Sequence, residues 1–338
     1  MILVTGGTGL VGSHLLYKLL EKGLSVKALC RPESNTDQVK KVFSFYGHNA
    51  IKLANRINWI TADLLDYYSL SDALKDVTQV YHCGAMVSFN PKDAQVMYRI
   101  NVEGTANLIN ACIEKKINKF CYVSSIATLG STINGKPIDE ETTWQADDNH
   151  SVYSQSKFRA EMEVWRGTKE GLKAVVVNPS VIIGPGEITR SSGLLFQSVR
   201  NGMNYYTSGI TGFVDVRDVV KAMIMLMESG IANDRFLLNA ENMSYQQFFT
   251  AVAKALNATP PKKEATPYMT SLAWRFEKIK YWLTGKAPRI SKETAKTAHK
   301  KSHYSSKKII DQMGFEFTPI EKTIEETGSF LNNNYRKL

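Results

Sequence analysis

Residues 2–12 read ILVTGGTGLVG, and this stretch gives the strongest indication of the fold. A short apolar run is followed at once by Gly6, Gly9 and Gly12, which are spaced three residues apart. Glycines at this spacing permit a tight turn, close approach of the backbone to a pyrophosphate, and close packing of a helix on a strand. The stretch therefore predicts a strand, a dinucleotide-binding turn and a helix, in that order.

The first half of the chain repeats this alternation of strand and helix. The predicted strands are Ile2–Val4, Leu24–Leu29, Ile57–Thr61, Val77–His82, Lys119–Ser124 and Leu172–Val177. The predicted helices lie near 10–22, 36–53, 69–76, 91–116 and 151–169. Such alternation indicates a parallel sheet with helices on both faces, joined by right-handed crossovers. The predicted fold class is α/β, a doubly wound parallel sheet with ligands at the carboxyl ends of its strands.

The pattern changes after Pro179. Helical patterns dominate from there, with a brief return to strand character at Phe213–Val214 and Arg235–Leu238. We therefore predict two domains built from interleaved segments. Residues 1–178 and 213–238 form the dinucleotide-binding domain, and residues 179–212 and 239–338 form a smaller, mostly helical substrate domain.

Candidate cofactor contacts follow the first three strands. The backbone from Thr8 through Leu10 and Val11 opens a helix whose N–H groups and dipole favour phosphate. At the end of the second strand, where a carboxylate would hold the ribose 2′-hydroxyl of NAD, the chain has Cys30-Arg31. A guanidinium pairs well with phosphate, which favours NADP(H), with NAD(H) possible if Arg31 only faces solvent. Asp63-Leu64 closes the third strand, where it would meet the adenine edge.

Three residues carry the predicted chemistry. Tyr153 and Lys157 are four residues apart at the start of a helix, which places them on one face. A nearby ammonium would lower the pKa of the phenol, so that Tyr153 could exchange a proton with a carbonyl or alcohol oxygen. Ser125 ends the fifth strand, where its hydroxyl could bind the same oxygen and the Tyr153 hydroxyl.

Together these motifs resemble the extended short-chain dehydrogenase/reductases, also called the NAD-dependent epimerase/dehydratase family, which have a Rossmann fold. The resemblance also covers Val80 to Ala85, Asn101 to Thr105, Asn178 to Gly186, Phe213 to Asp218 and Tyr304 to Lys308. It implies a catalytic triad of Ser125, Tyr153 and Lys157. It further implies a set of cofactor-binding residues that comprises Gly6, Thr8, Gly9, Leu10, Val11, Gly12, Arg31, Asp63, Leu64, His82, Gly84, Ala85, Asn101, Val123, Tyr153, Lys157, Pro179, Val181 and Ile182.

Within this set the resemblance distinguishes several roles. Pro179 with Val181 or Ile182 would pack on the nicotinamide, and Asn101 would support the active-site helix. Read from the residues alone, His82 ends a buried strand and is typical of a packed, hydrogen-bonded core histidine.

The stretches ALCRPES and VVNPSVIIGPG look most like dihydroflavonol 4-reductase-like ketoreductases, with 3β-hydroxysteroid dehydrogenases as near neighbours. Sugar dehydratases of this family place an Asp-Glu pair after the catalytic hydroxyl, whereas Ile126-Ala127 stand here, so dehydration is disfavoured. The leading prediction is an NADPH-dependent ketoreductase for a bulky, mainly apolar substrate. An NAD-dependent nucleotide-sugar epimerase is the alternative, and a non-catalytic dinucleotide sensor is a remote third.

Composition limits the remaining possibilities. The 338 residues carry a net charge of +10, yet 14 Lys or Arg against 3 acidic residues fall in 254–308, and the rest of the chain has 28 basic and 29 acidic residues. This basic segment predicts an acidic small molecule or an anionic membrane surface as its partner, if it has one, and nucleic acid is not expected. The four cysteines lie in apolar patterns with no C-x-x-C pair, which predicts buried, reduced thiols and no metal site.

No run of about 18 apolar residues and no secretory signal occurs, so a cytoplasmic protein is expected. From Tyr268 to Leu283 a helical pattern places Met269, Leu272, Ala273, Phe276, Ile279 and Leu283 on one side. This helix could cap the domain core, form a lid over an apolar substrate, or rest on an anionic membrane. The family resemblance also implies a homodimer formed through the helix that carries Tyr153.

Overall fold

The computed structural model describes residues 1–88, 90–132, 135–145, 150–284 and 290–335, without the side chain of Leu283. The strands are β1 Ile2–Thr5, β2 Val26–Cys30, β3 Asn58–Thr61, β4 Gln79–His82, β5 Lys119–Val123, β6 Ala174–Pro179, β7 Val181–Ile183, β8 Tyr205–Tyr206, β9 Ile210–Asp215, β10 Asp234–Leu238, β11 Glu241–Ser244 and β12 Lys263–Glu264. The α-helices are α1 Leu10–Glu21, α2 Asp37–Ser44, α3 His48–Leu53, α4 Tyr67–Ala73, α5 Ala94–Tyr98, α6 Gly104–Glu114, α7 Val152–Lys169, α8 Gly193–Arg200, α9 Val216–Glu228, α10 Tyr245–Leu256, α11 Pro267–Thr284, α12 Lys292–Thr297, α13 Lys307–Met313 and α14 Ile320–Asn334.

The main sheet has seven parallel strands in the order β10-β6-β5-β4-β1-β2-β3. Its two faces are covered by separate apolar clusters, one that includes residues of α1 and α9 and one that includes residues of α4, α6 and α7. The order reverses between β1 and β4, which opens a crevice at their carboxyl ends. The predicted doubly wound parallel sheet is thus confirmed.

Local details depart from the sequence prediction where the backbone turns. The helix predicted over 36–53 is two helices, α2 and α3, because Gly47 adopts a φ of +118° between them. The helix predicted over 91–116 begins with a single turn of 3₁₀-helix and contains a wider π-helical turn at Arg99–Glu103. This turn carries Asn101, and π-helical turns are frequent at functional sites.

The second half of the chain builds a smaller layer beside the main sheet. Strands β7, β9 and β11 form a three-stranded sheet, and helices α8, α10 and α14 pack there around a third apolar cluster. The predicted strand at Phe213–Val214 lies in β9 of this small sheet, whereas Arg235–Leu238 lies in β10 and completes the main sheet beside β6.

All four cysteines are free thiols, as the sequence predicted, but they are not equally buried. Cys112 and Cys121 are buried, whereas Cys30 and Cys83 are half-buried because they lie at the carboxyl edge of the main sheet. In the part of the chain that the structure describes, no helix is long and apolar enough to cross a membrane.

Candidate active site

The glycine turn lies at the crevice between β1 and β4. Gly6 has a φ of +68°, and a Cβ on it would lie 2.7 Å from the backbone of Gly84. The Gly84 N–H donates to Thr5 Oγ1 over 3.1 Å. Because two backbone segments touch here without side chains between them, an elongated ligand can lie directly against the main chain.

The start of α1 fits a pyrophosphate. A Cβ on Gly12 would come within 2.1 Å of the Gly6 carbonyl oxygen, so this helix can begin close to the turn only with glycine there. The helix begins after Gly9, and no side chain caps it. Its first N–H groups, from Leu10 and Val11, are therefore left for a ligand, where the helix dipole favours negative charge.

An open groove runs beside the glycine turn. Thr8 and Leu10 line one side, and the loop from Gly184 to Gly193 lines the other. The loop packs tightly, since a Cβ on Gly186 would lie 2.8 Å from Leu10 Cδ1. His14 of α1 fixes it further by a 2.8 Å hydrogen bond between Nε2 and the Pro185 carbonyl.

Arg31 follows β2 at the position predicted to meet the adenosine ribose. Arg31 is exposed, and its Nε lies 3.1 Å from Glu33 Oε1, with both side chains more than half exposed. The backbone N–H of Arg31 donates to Ser34 Oγ over 2.9 Å. An exposed ion pair of this kind contributes little, so the guanidinium can turn to another anion at small cost.

The residues predicted to meet the adenine, Asp63 and Leu64, follow β3. Asp63 is exposed, and its Oδ1 accepts from the Leu65 N–H over 2.9 Å. The Leu64 carbonyl accepts from Asn107 Nδ2, and Leu64 packs against Gly104, where a Cβ would lie 2.8 Å away. The structure therefore places Asp63 and Leu64 at the carboxyl edge of the sheet, at the end of β3.

Ser125 and Tyr153 meet at the carboxyl end of β5. The Ser125 hydroxyl forms a hydrogen bond with the Tyr153 side chain and accepts from the Ala127 N–H over 3.1 Å. Burial raises the pKa of Tyr153 above its ordinary value, and the hydrogen bond with Ser125 offsets part of that rise. The phenol therefore keeps its proton at neutral pH and can donate it.

Lys157 lies one helical turn further along α7 and is almost fully buried. Its Nζ donates to Tyr122 Oη over 2.7 Å and to the Val123 carbonyl over 2.8 Å. Burial lowers the pKa of Lys157 to about 7, against the opposing effect of the Glu161 carboxylate. The lysine charge was expected to lower the pKa of Tyr153, whereas in the chain itself burial raises that pKa.

His82 is a core residue, as its position at the end of a buried strand suggested. Thr105 donates its hydroxyl to the Asn101 carbonyl, so His82 Nε2 donates to Thr105 Oγ1 over 3.0 Å. Its Nδ1 then accepts from Thr5 Oγ1 over 2.6 Å. Burial lowers the pKa of His82 to about 3, so the ring is neutral and fixes Thr5 and its contact with Gly84. Ala85 follows in the same loop.

Asn101 connects the loop after β4 to the active-site helix. Its side chain accepts from the Met86 N–H and donates both to the Met86 carbonyl and to Ser156 Oγ, each over 2.8–3.0 Å. Ser156 lies between Tyr153 and Lys157 in sequence, so Asn101 acts on the orientation of α7.

The predicted nicotinamide wall lies at the end of β6. Pro179 is buried as the last residue of that strand, and Val181 and Ile182 are half-buried at the start of β7. Their position beside the carboxyl end of β5 gives the site an apolar wall near Ser125.

Sequence reasoning missed a buried acid behind the site. The Glu161 carboxylate is fully buried and accepts from Ser124 Oγ, Thr128 Oγ1 and Asn178 Nδ2 over 2.5–2.9 Å. Arg235 Nη1 of β10 lies 3.4 Å from it. Ser124 and Thr128 flank Ser125, and Glu161 lies four residues after Lys157, so one carboxylate connects the loop after β5 to helix α7.

Within the described ranges, no cluster of three or more His, Cys, Asp or Glu side chains is arranged to hold a metal ion. The glycine turn, the uncapped helix and the half-buried hydroxyl pair of Ser125 and Tyr153 are instead the parts of a nicotinamide-dependent oxidoreductase. The fold and this site define an NAD(P)-dependent enzyme of the Rossmann type.

The sequence model of the NAD dependent epimerase/dehydratase family matches residues 2–238, and the chain belongs to that family. It is an extended short-chain dehydrogenase/reductase of the dihydroflavonol 4-reductase-like type. It is 29% identical to the "Putative dihydroflavonol 4-reductase" of Synechocystis sp., over 98% of this chain and 94% of that protein. It is 28% identical to cinnamoyl-CoA reductase 1 of Petunia hybrida, over 97% of this chain and 90% of that protein.

Among solved structures, the fold is similar to that of UDP-glucose 4-epimerase from Thermus thermophilus, solved in complex with NAD. The TM-score is 0.75, with 20% sequence identity over 98% of this chain and 99% of the epimerase. At that identity the likeness concerns the fold alone, and it agrees with the doubly wound sheet described above.

Proposed function

We propose that this enzyme is an NADPH-dependent ketoreductase that reduces a carbonyl group of a bulky, mainly apolar substrate. The observation that carries the proposal is the hydrogen bond between the Ser125 hydroxyl and the Tyr153 phenol at the carboxyl end of β5. A group that holds its proton at neutral pH suits the reduction of a carbonyl, where a proton must be given to the oxygen.

The proposed roles follow from this arrangement. The substrate carbonyl oxygen would accept from Ser125 and Tyr153 together, which polarises the carbonyl and fixes its carbon opposite the apolar wall. When bound, the nicotinamide supplies the hydride. Tyr153 then gives its proton to the oxygen, and the Lys157 ammonium favours the phenolate that remains. Asn101 and Glu161 position the helix and the loop that carry these groups.

The preference for NADPH rests on Arg31. Its weak ion pair with Glu33 can exchange for a 2′-phosphate, and Ser34 adds a hydroxyl donor at the same place. No carboxylate stands directly after β2 to repel that phosphate, since Cys30 is followed by Arg31.

The apolar substrate is supported by the surroundings of the catalytic hydroxyls. Ile126 follows Ser125 and packs with Leu129, and Val87 is half exposed in the loop after β4. Ile126-Ala127 also leave no acid and base pair next to Ser125 for dehydration. Two relatives at 28–29% identity are, by their names, reductases of a dihydroflavonol and of cinnamoyl-CoA.

The test is a titration of the purified protein with NADPH and with NADH, followed by nucleotide fluorescence. We expect tighter binding of NADPH and loss of that preference in Arg31→Asp. Arg56→Asp, which changes another exposed arginine, is the matched control and should leave the preference unchanged. The second step measures NADPH oxidation with a panel of bulky aromatic and alicyclic ketones and aldehydes.

The alternative, an NAD-dependent nucleotide-sugar epimerase, makes the opposite prediction. Protein purified with NAD already bound, together with a thermal shift on adding UDP-sugars and no oxidation of NADPH by any ketone, would overturn the ketoreductase proposal. A chain that binds dinucleotide and turns over neither class would point to a sensor.

A further inference from the structure

Helix α11 presents its apolar side to solvent. Phe276 is 71% exposed and Ile279 is 56% exposed, and Leu272 is also exposed. At 100° per residue these three lie within about 60° of one another around the helix axis. Tyr268 and Met269 extend the same side by one turn, and both are exposed. The apolar stripe predicted from the sequence exists, but it does not cap the core of this chain.

The opposite side of α11 holds the helix to the protein. Thr270, Trp274, Glu277 and Tyr281 follow the spacing of one helix face and are buried or half-buried. Thr270 Oγ1 forms a 3.0 Å hydrogen bond with His299 Nε2. The Tyr281 ring lies under Lys92 Nζ at 4.9 Å, in the turn that follows the loop from β4. The polar and mixed face is thus turned inward, which is the reverse of an ordinary surface helix.

The charges on α11 are divided in the same way. Arg275 and Lys280 are exposed and flank the apolar stripe on its two sides. Glu277 lies on the inward face, with a side chain only 20% exposed, and its Oε1 lies 3.8 Å from Lys280 Nζ. Exposed Lys262 and Lys263 precede the helix and Lys292 follows it. Exposed Glu264 precedes the helix too, and Glu277 pairs with Lys280, but Arg275, Lys278 and Lys280 outnumber the one acid of α11, so the helix carries a net positive charge.

We propose that α11 docks this enzyme onto an anionic membrane surface, with the stripe of Tyr268, Leu272, Phe276 and Ile279 inserted into the interface. Aromatic and aliphatic side chains bordered by lysine and arginine are the composition of helices that lie in the membrane interface plane. Long basic side chains can place their stems along the apolar boundary and their charges among the lipid phosphates.

The charge pattern favours a lipid surface over a second copy of the chain. Stripes brought together from two copies would also bring Arg275 and Lys280 of each copy close to those of the other, and like charges at a close interface are unfavourable. An anionic bilayer instead complements both features of the helix, its apolar stripe and its positive border. It would also bring an enzyme for apolar substrates to where such compounds concentrate.

Vesicle binding tests this proposal. The full-length protein is mixed with sedimentable vesicles of pure phosphatidylcholine, or of phosphatidylcholine with about 30% phosphatidylglycerol, and the bound fraction is measured. We expect binding to the anionic vesicles only. Adding salt to about 0.5 M should weaken it, since screening shortens the reach of the lipid charges. Phe276→Ser with Ile279→Ser should weaken it at least about tenfold, and Arg275→Gln with Lys280→Gln about fivefold per charge removed.

Tyr68→Ser removes another exposed aromatic side chain, 81% exposed on α4, and serves as the matched control that should bind as the parent does. Binding that is absent from both vesicle types, or equal in parent and Phe276→Ser/Ile279→Ser, would overturn the proposal. A mass measurement by light scattering shows whether a second copy of the chain covers the stripe instead. If the parent forms an assembly that this double variant dissociates, while neither protein binds vesicles, a second copy covers the stripe. The rate at which a water-soluble ketone is reduced should be unchanged in the double variant. A loss of that activity would indicate that α11 is a lid over the substrate and would overturn the proposal.

Discussion

The Glu161 cluster and helix α11 both depart from the usual distribution of side chains, in which charged groups are exposed and apolar groups are buried. In the first, a carboxylate is fully buried, and hydroxyl, amide and guanidinium groups surround it. In the second, aromatic and aliphatic side chains are exposed, while Thr270 and Glu277 face inward. Buried charge and contiguous exposed apolar surface each lower stability or solubility unless something compensates. Inside the cluster the compensation comes from the chain itself, whereas for α11 we propose that it comes from a membrane surface.

The largest effect is expected from a change at Tyr153, the hydrogen-bond partner of Ser125 in the loop that Glu161 holds. Tyr153→Phe removes the proton donor and should lower kcat/KM for ketone reduction about 1,000-fold. Because Phe fills the same volume, nucleotide binding followed by fluorescence should change by less than about threefold. Residual turnover near that of the parent would show that another group gives the proton.

A change at Glu161 should affect both stability and activity. Glu161→Gln replaces an acceptor of three or more hydrogen bonds by a group that must also donate, next to Arg235. We expect a loss of about 3 kcal/mol in the free energy of unfolding, measured by urea denaturation. Glu163→Gln, two residues away and paired with half-buried Arg166, is the control and should cost less than about 1 kcal/mol.

To separate positioning from stability, the Glu161→Gln enzyme is assayed well below its melting temperature. A positioning role predicts a lower kcat with little change in KM for NADPH, because the carboxylate holds Ser124 and Thr128 on either side of Ser125. A parent-like kcat in folded Glu161→Gln would leave the residue a purely structural role.

The raised pKa of Tyr153 predicts opposite pH profiles for the two directions. Reduction requires the phenol, which stays protonated through neutral pH, and also the Lys157 ammonium, whose pKa burial lowers to about 7. The reduction rate should therefore fall from about pH 6 to about pH 8 as Lys157 loses its charge. Oxidation of the matching alcohol requires the phenolate, whose fraction rises about tenfold per pH unit below the pKa. Steady-state rates in both directions across this range provide the test, and an oxidation rate that does not rise with pH would contradict it.

The smallest effect is expected at α11, where an exposed phenylalanine can be compared with a buried one. Phe276→Ala should change the free energy of unfolding by less than about 0.5 kcal/mol, since its ring is mostly exposed. Phe248→Ala, at a fully buried ring of the small layer, should cost about 3–5 kcal/mol. Thermal or urea unfolding of the two variants is sufficient. A large loss at Phe276 would mean that its ring packs against the fold in solution.

The sequence allowed the main sheet and the glycine turn to be predicted because their signals are local. Strand runs, glycine spacing and the pair Tyr153 and Lys157 are all read within a few residues. Glu161 could not be identified this way, since an acid on an amphipathic helix is usually exposed. Its burial depends on Thr128 and Asn178, which come from distant parts of the chain and meet only in the fold.

The sequence also could not show which side of α11 faces the protein. Periodicity shows that the apolar residues share one side, but it does not show whether that side meets the core, a ligand or solvent. Only the contacts of Thr270 with His299 and of Tyr281 with Lys92 fix which face is inward.

The position of β10 in the main sheet has a consequence for synthesis of the chain. Residues 180–233 lie between β6 and β10, yet these strands are neighbours. On a ribosome, β6 therefore emerges several seconds before the strand that pairs with its open edge. During that interval Ala174–Pro179, entirely buried in the finished protein, offers unpaired backbone to any other strand. A fragment that stops at residue 178 would keep this edge permanently, so truncations of the nucleotide-binding part should extend at least through Leu238.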